Sequence, residues 1–295
     1  MTILVTGGSG RIGKCIIELL LANDHNVVNY DIVPSKDSKC EFIQGDLKNR
    51  ESVKNALKDV DVVIHMAAYP TEISIIDHGG YWEGWDVNVG GSFNLLQAAA
   101  DNGGVKKVIY ASSICSTGVI TWAGDTHSLE YLPVDEEHPF NAQNLYGIGK
   151  AIVENLCYMY TAKYGINSIC MRMATVWFEK AQRYADWCRD PAAMLKGPAL
   201  RRDLAWQFVG VEDVAQAFKL AVEKTGNGYV AYNVGGGETP TEWTSLKLAE
   251  TYFPGTPIHE PELFLHNPKK PLWDITKIQR ELNYRPKCSW RDYLP

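Results

Sequence analysis

A tyrosine and a lysine four residues apart are the first side chains in this sequence whose types and spacing suggest chemistry. They are Tyr146 and Lys150, within the stretch NLYGIGK. Residues four apart on a helix share one face, so a helical stretch would place a phenol beside an ammonium group. The ordinary pKa of a phenol is roughly 10, and a nearby positive charge favours the phenolate, which can act as a base. The spacing alone is weak support, because chains of this length often contain it by chance.

A second candidate site lies near the N-terminus, where glycines separate an apolar strand pattern from a helical pattern. Gly8, Gly10 and Gly13 form G-x-G-x-x-G, while Gly7 with Gly10 and Gly13 forms G-x-x-G-x-x-G. Glycines at these positions permit a tight turn, the approach of a pyrophosphate to bare backbone, and close packing of the helix on the strand. The start of the following helix would then face the phosphates of a bound dinucleotide.

The next strand pattern ends on Asp31, eighteen residues after Gly13. This is near the spacing of the carboxylate that binds the adenosine ribose hydroxyls in dinucleotide-binding proteins. A 2′-phosphate at this position would meet like charge, and no arginine directly follows Asp31. The sequence therefore predicts NAD, rather than NADP, as the cofactor.

The elements that must position these residues alternate between strand and helix patterns. This alternation predicts an α/β fold, a Rossmann-type doubly wound parallel sheet, in which ligands bind at the carboxyl ends of the strands. The patterns beyond the first βαβ unit predict strands at 41–46, 61–68, 106–113 and 167–174, with helices near 50–58, 86–102 and 144–164.

The regular alternation loosens after residue 174 and returns near residue 207. We therefore predict two domains. The NAD-binding Rossmann domain comprises residues 1–174 plus 207–236, and a smaller discontinuous C-terminal substrate-binding domain comprises residues 175–206 plus 237–295.

Composition indicates that function resides in a site rather than in a charged surface. The formal net charge is −6, which argues against a nucleic-acid or anionic-membrane surface. The seven cysteines include no C-x-x-C pair and the seven histidines no H-E-x-x-H motif, so the sequence predicts no metal site. No apolar run approaches the length of a membrane span, and scattered thiols are typical of a reducing compartment. We expect a cytoplasmic protein.

Eight motifs occur along nearly the whole chain in an order shared by one known family. They are TGGSGRIG (6–13), GDL (45–47), HMAA (65–68), NVGGSFNLLQAA (88–99), YASS (110–113), YGIGK (146–150), FVGVEDVAQAF (208–218) and DITKIQRELNYRP (274–286). Together they resemble the extended short-chain dehydrogenase/reductase family, also called the NAD-dependent epimerase/dehydratase family. That group contains sugar-nucleotide epimerases, 4,6-dehydratases and sugar dehydrogenases.

The resemblance implies that Ser113, Tyr146 and Lys150 are catalytic. Tyr146 would take the substrate hydroxyl proton as hydride leaves the carbon, Lys150 would hold the nicotinamide ribose, and Ser113 would orient the reacting oxygen. The cofactor-binding residues that it implies are Gly7, Gly10, Arg11, Ile12, Gly13, Asp31, Asp46, Leu47, Ala67, Ala68 and Asn88, together with Tyr146 and Lys150.

The chain departs from the family pattern at positions that bear on the reaction. Ile114 and Cys115 follow Ser113, where dehydratases have acidic residues, so 4,6-dehydration is disfavoured. Thr175 stands where nucleotide-sugar epimerases have an asparagine, and it resembles the small hydroxyl residue of uronate and free-sugar dehydrogenases. Arg183 lies within a residue of the arginine that grips a carboxylate in those dehydrogenases. Ser113, Thr175 and Arg183 are the predicted substrate-binding residues.

A second departure is that Trp206 and Gln207 occupy the place of an arginine in nucleotide-sugar epimerases. The first expectation is therefore an NAD-dependent oxidoreductase that transfers hydride to or from a sugar or sugar-derivative carbinol. The alternatives are a UDP-sugar 4-epimerase that uses bound NAD and a non-catalytic NAD(P)-binding sensor. The resemblance also implies a homodimer packed through the helices near 86–102 and 144–164.

Overall fold

Two compact units make up the chain. The first contains Met1–Ser112, Ile148–Met171 and Ala215–Ala231, and the second contains Ser113–Gly147, Arg172–Val214 and Tyr232–Pro295. The computed structural model describes residues 1–35, 39–69, 80–119, 129–142, 144–189, 207–226 and 228–295, except for the side chains of Arg183 and Trp187. The assignment of a cofactor-binding and a substrate-binding domain stays a prediction.

Seven strands form the main sheet. They are β1 (Thr2–Thr6), β2 (Asn26–Asp31), β3 (Glu41–Gln44), β4 (Val62–His65), β5 (Lys107–Ser113), β6 (Asn167–Met173) and β9 (Tyr229–Val234). Their order is β3-β2-β1-β4-β5-β6-β9, and the pairings from β3 to β5 are parallel. The chain reverses direction across the sheet between β1 and β4, which is where ligands bind in doubly wound folds. The Rossmann-type expectation is confirmed.

Helices connect the strands. They are α1 (Arg11–Leu21), α2 (Arg50–Ala56), α3 (Tyr81–Trp85), α4 (Ser92–Asn102), α5 (Leu145–Tyr164), α6 (Gln182–Arg189), α7 (Val211–Glu223), α8 (Ser245–Tyr252), α9 (Glu262–His266) and α10 (Thr276–Leu282). Short 3₁₀ helices cover Ile114–Thr117 and Trp290–Tyr293, and β7 (Val176–Trp177) pairs with β8 (Val209–Gly210). None of the helices in the described ranges is both long and apolar enough to span a membrane.

The helix predicted over 86–102 is composite. It begins earlier, as α3, and reaches α4 through a π-helical segment, Asp86–Gly91. The sequence pattern predicted one continuous helix here and did not indicate the π turn. Such turns frequently occur at functional sites.

Aliphatic side chains from the sheet and its covering helices form the core of the first unit. Leu4 of β1, Val63 of β4 and Leu95 of α4 are at most 1% exposed. Burial of each such side chain stabilises the fold by about 1.5–3 kcal/mol. Parallel strands are covered on both faces, which explains the nearly continuous apolar runs in β1 and β4.

Aromatic side chains form a core cluster of the second unit. The rings of Trp177 and Tyr184 stack with centroids 4.2 Å apart, and Phe208 lies against Trp177 at 5.2 Å. Trp290 and Tyr293 complete the cluster. Trp177 is therefore a buried core residue in this unit.

Candidate functional site

A groove of about 410 Å³ lies in the first unit, beside the ends of β1, β2 and β4. It brings together residues that are distant in sequence. Those that were predicted to bind the cofactor and line this groove are Gly7, Gly10, Asp31, Asp46, Leu47, Ala67 and Ala68. Arg11, Ile12 and Gly13 form the first turn of α1, and Asn88 lies in the π segment.

The glycine turn depends on close backbone contacts. Gly7 has a φ of +69°, and a Cβ there would lie 2.7 Å from the Ala67 Cα atom. A Cβ on Gly13 would lie 2.4 Å from the Gly7 carbonyl oxygen. Because neither backbone atom can move independently, only glycine permits both the turn and the approach of α1 to β1.

The start of α1 suits an anion. Its N-cap residue is Gly10, which has no side chain that could accept the N–H groups of the first helical turn. These N–H groups and the positive end of the helix dipole favour a phosphate at this position.

Asp31 ties the glycine turn to the end of β2. One carboxylate oxygen accepts the Ser9 N–H at 3.0 Å, and the other accepts the Val33 N–H at 3.2 Å. The Ser9 hydroxyl donates to the Val33 carbonyl oxygen at 2.6 Å. A carboxylate has about four acceptor positions, so Asp31 can also accept hydrogen bonds from a ribose diol. The bare glycine backbone and this carboxylate together fit an adenine dinucleotide.

Lys150 is held by the end of β5 within the first unit. Its Nζ donates to the Ala111 carbonyl oxygen at 2.6 Å and lies 4.8 Å from the centroid of the Tyr110 ring. The side chain is only 5% exposed. A carbonyl oxygen and a π face are both favourable partners for an ammonium group.

Glu154 lies one helical turn after Lys150 and was missed by sequence reasoning. It is fully buried, and its two oxygens accept from the Ser112 hydroxyl at 2.5 Å and the Tyr229 hydroxyl at 3.2 Å. The first bond attaches α5 to β5 at the residue that precedes Ser113, and the second attaches α5 to β9. A glutamate four residues after Lys150 is the only signal that the sequence offered.

Ser113 ends β5 and begins the second unit. Its Oγ accepts the Cys115 N–H at 3.2 Å, so it caps the 3₁₀ turn that follows. Both residues are buried, and the small side chain of Cys115 fills space within this turn.

The first turn of α5, which carries Tyr146, approaches the turn after Ser113. The Asn144 Oδ1 accepts the Gly147 N–H at 2.7 Å and caps the helix. A Cβ on Gly147 would lie 2.3 Å from the Cys115 carbonyl oxygen, so this approach requires glycine. Sequence reasoning missed both Asn144 and Gly147, although an asparagine before a helical run is a recognised cap signal.

Tyr146 and Lys150 both lie on α5, four residues apart. The helix predicted over 144–164 is therefore present, and the two side chains share one of its faces. The Tyr146 side chain is half-buried.

Gln207 forms two hydrogen bonds with Thr175 within the second unit. The Thr175 N–H donates to Gln207 Oε1 at 2.7 Å, and Gln207 Nε2 donates to Thr175 Oγ1 at 2.9 Å. Gln207 is 2% exposed. The Thr175 hydroxyl keeps its own proton for a further partner. Arg183 lies on α6, but its side chain, like the whole of Trp206, is outside the described residues.

Glu136 is a largely buried carboxyl group of the second unit. It accepts the Asn233 N–H at 2.8 Å, and Arg172 donates to its carbonyl oxygen at 2.9 Å. Burial raises the pKa of Glu136 to about 7; Lys277 opposes this shift and Asp274 adds to it. The charged form is therefore disfavoured in the folded protein.

Stability should consequently fall as pH rises. Between pH values of about 4.5 and about 7, the Glu136 carboxyl group is deprotonated in the unfolded chain but still protonated in the folded protein. By linkage, the free energy of unfolding loses up to about 3 kcal/mol across this range. Glu136→Gln should remove this loss, which urea unfolding at pH ~5 and ~8 measures. Glu137→Gln, at an exposed neighbour, is the control; an equal pH slope in wild type and Glu136→Gln would contradict the expectation.

Comparisons with known proteins give one matching family model and several similar proteins. A family model described as "NAD dependent epimerase/dehydratase family" matches residues 3–235. A UDP-glucose 4-epimerase of Lactobacillus helveticus is 30% identical over 183 residues, which cover 60% of this chain and 52% of that protein. The chain thus spans about half the length of that curated relative.

Two crystal structures match almost end to end. A UDP-glucose 4-epimerase from Thermotoga maritima, solved with UDP-glucose, is 25% identical with a TM-score of 0.71. A UDP-glucose 4-epimerase from Thermus thermophilus, in complex with NAD, is 26% identical with a TM-score of 0.68. Each match covers 99% of this chain and 96% of the other.

Proposed function

Because the chain belongs to the NAD-dependent epimerase/dehydratase family, we propose that it interconverts the C4 epimers of a UDP-sugar by means of bound NAD. Family membership confirms the sequence-based predictions of family and cofactor. The observation that carries the proposal is the near end-to-end similarity to the Thermotoga maritima UDP-glucose 4-epimerase solved with UDP-glucose. The comparisons thus favour the alternative named from sequence over the dehydrogenase that we placed first.

The residues of the groove support this proposal. The glycine turn would accept the pyrophosphate and Asp31 the adenosine ribose, with Asp46 and Leu47 beside the adenine. NAD, when bound, supplies a hydride acceptor that becomes a donor in the reverse step. Tyr146 would take the proton from the C4 hydroxyl and return it to the C4 oxygen after the sugar has rotated.

Lys150 and Ser113 would assist Tyr146. The Lys150 ammonium would lie on the same helix face as the Tyr146 phenol and would hold the nicotinamide ribose. Ser113 would donate a hydrogen bond to the C4 oxygen and fix its orientation.

A sugar or uronate dehydrogenase is the second candidate. It is favoured by the two hydrogen bonds between Thr175 and Gln207. Thr175 stands where nucleotide-sugar epimerases carry an asparagine, and Gln207 stands near the position of their arginine. In this case Ser113, Thr175 and Arg183 would bind a free sugar derivative.

One assay separates the candidates. The purified protein is incubated with UDP-glucose or UDP-galactose labelled with deuterium at C4, and in parallel with free uronates plus NAD. We expect a mixture of the two UDP-sugars that retains deuterium at C4, with no net NADH, because the hydride returns to its own carbon. Stoichiometric NADH from a free sugar would instead establish a dehydrogenase. NAD binding without turnover of any substrate would support the third alternative, a non-catalytic NAD(P)-binding sensor.

A homodimer packed through α4 and α5 is also proposed. Large apolar side chains on these helices are solvent-exposed, among them Phe93 at 40% and Tyr158 at 60%. Exposed apolar surface of this kind is typical of association sites. Light scattering of the purified protein tests the proposal, and a monomeric mass would refute it.

A further inference from the structure

A buried histidine bridges two elements beside the NAD groove. His65 is the last residue of β4 and is 2% exposed. Its Nδ1 lies 2.8 Å from the Thr6 hydroxyl oxygen, and its Nε2 lies 2.8 Å from the Ser92 hydroxyl oxygen. The ring therefore connects the end of β1 to the first residue of α4.

The neighbouring bonds determine where the protons lie. The Ser92 hydroxyl donates its one proton to the Asn88 carbonyl oxygen at 2.6 Å, so it must accept from His65 Nε2–H. Nδ1 is then unprotonated and accepts from the Thr6 hydroxyl, whose oxygen accepts the Ala67 N–H at 3.2 Å. The imidazole is neutral, because burial and then the Lys150 charge lower its pKa to about 3.

This chain of hydrogen bonds ends on both walls of the groove. On one side Thr6 holds the backbone of Ala67, which lines the groove. On the other side Ser92 holds Asn88 in the π segment, and Asn88 Oδ1 accepts the Tyr69 N–H at 2.7 Å. Tyr69 follows Ala68, and both also line the groove.

We propose that His65 is a positioning residue for the cofactor. Through Thr6 and Ser92 it fixes the position of the π segment relative to residues 66–69, which follow β4. The Ser92 hydroxyl donates to the carbonyl oxygen of Asn88, which lies in the π segment. Backbone hydrogen bonds in a π helix join residues that are five apart. Loss of the Nε2–H donor would free Ser92 to turn and release Asn88. The inference rests on the NAD groove and not on the identity of the substrate.

Two substitutions at His65 each keep one of its hydrogen bonds. The amide of asparagine reaches the position of Nδ1 and that of glutamine reaches the position of Nε2. His65→Asn keeps an acceptor for Thr6, whereas His65→Gln keeps a donor for Ser92. Glutamine has almost the volume of histidine, whereas asparagine is one methylene smaller and leaves a larger void, so Ser92→Ala, which leaves the ring in place, separates the lost hydrogen bond from lost packing.

We expect His65→Asn to weaken NAD binding about tenfold, the ratio that corresponds to one lost buried hydrogen bond. His65→Gln should bind NAD nearly as the wild-type protein does. Ser92→Ala should reproduce the loss, and combining it with His65→Asn should add little, because both remove the same bond. Isothermal titration of nucleotide-free protein with NAD, well below the unfolding temperature, measures each affinity.

His138→Asn is the matched control, since His138 is also 2% exposed but lies in the other compact unit. It should lower the unfolding temperature and leave NAD affinity unchanged. Wild-type affinity in both His65 variants, or equal loss in both, would make His65 a core residue only. The titration needs no substrate, so either outcome is independent of whether the protein is an epimerase.

Discussion

Tyr146→Phe is expected to lower kcat by about three orders of magnitude while NAD affinity stays close to that of the wild-type protein. A positioned general base contributes ~10²- to 10⁴-fold to a rate, and phenylalanine keeps the ring while removing the group that exchanges the proton. The measurement is kcat with the substrate that the UDP-sugar assay identifies, together with NAD titration of the variant.

Tyr158→Phe provides a matched control on the same helix. Tyr158 lies on α5 but is 60% exposed, and its ring meets that of Tyr229 edge to face. The control should retain full kcat. If Tyr146→Phe retained activity within about threefold, another residue would have to act as the base, and the proposed role of the Tyr146–Lys150 pair would be wrong.

Gly13→Ala has the second large expected effect, a loss of NAD affinity of about 100-fold. The new Cβ would lie 2.4 Å from the Gly7 carbonyl oxygen and 2.7 Å from the Gly8 Cα, so α1 must move away from β1. Overpacking of this kind costs about 1–3 kcal/mol, and the displaced helix start no longer faces the phosphates.

The intrinsic preference of alanine for helices works against this loss. Alanine is more favourable than glycine in a helix by about 1 kcal/mol. The free energy of unfolding should therefore fall by less than the free energy of NAD binding does. Gly237→Ala is the control, because its Cβ would meet only the Pro286 ring at 3.7 Å. NAD titration of both variants tests the expectation, and unchanged affinity in Gly13→Ala would show that the helix start does not hold the pyrophosphate.

Much of the candidate cofactor site was predictable because it lies in local motifs. The glycine turn and Asp31 lie within one βαβ unit, where spacing along the chain determines position in space. Ala67 and Asp46 required the additional inference that the ends of parallel strands meet at one edge of the sheet. The structure places all of them on one groove.

The residues that support the site could not be predicted in the same way. His65 lies in the HMAA motif and Glu154 follows Lys150 by one helical turn, but neither position indicates a role, because an imidazole or a carboxylate in an apolar pattern acquires its role only from partners far along the chain. Glu154 meets Ser112 and Tyr229, which are 42 and 75 residues away. The hydrogen bonds between Gln207 and Thr175 join residues 32 apart, so local spacing could not predict them either.

Local spacing thus determined by itself the parallel sheet, the glycine turn and the shared helix face of Tyr146 and Lys150, since backbone propensity and periodicity act over a few residues. Only the tertiary structure decided which hydroxyls, amides and carbonyls satisfy the buried polar groups. Those pairings follow from desolvation: a polar atom that leaves water must find a partner, and folding alone determines which atom is near enough.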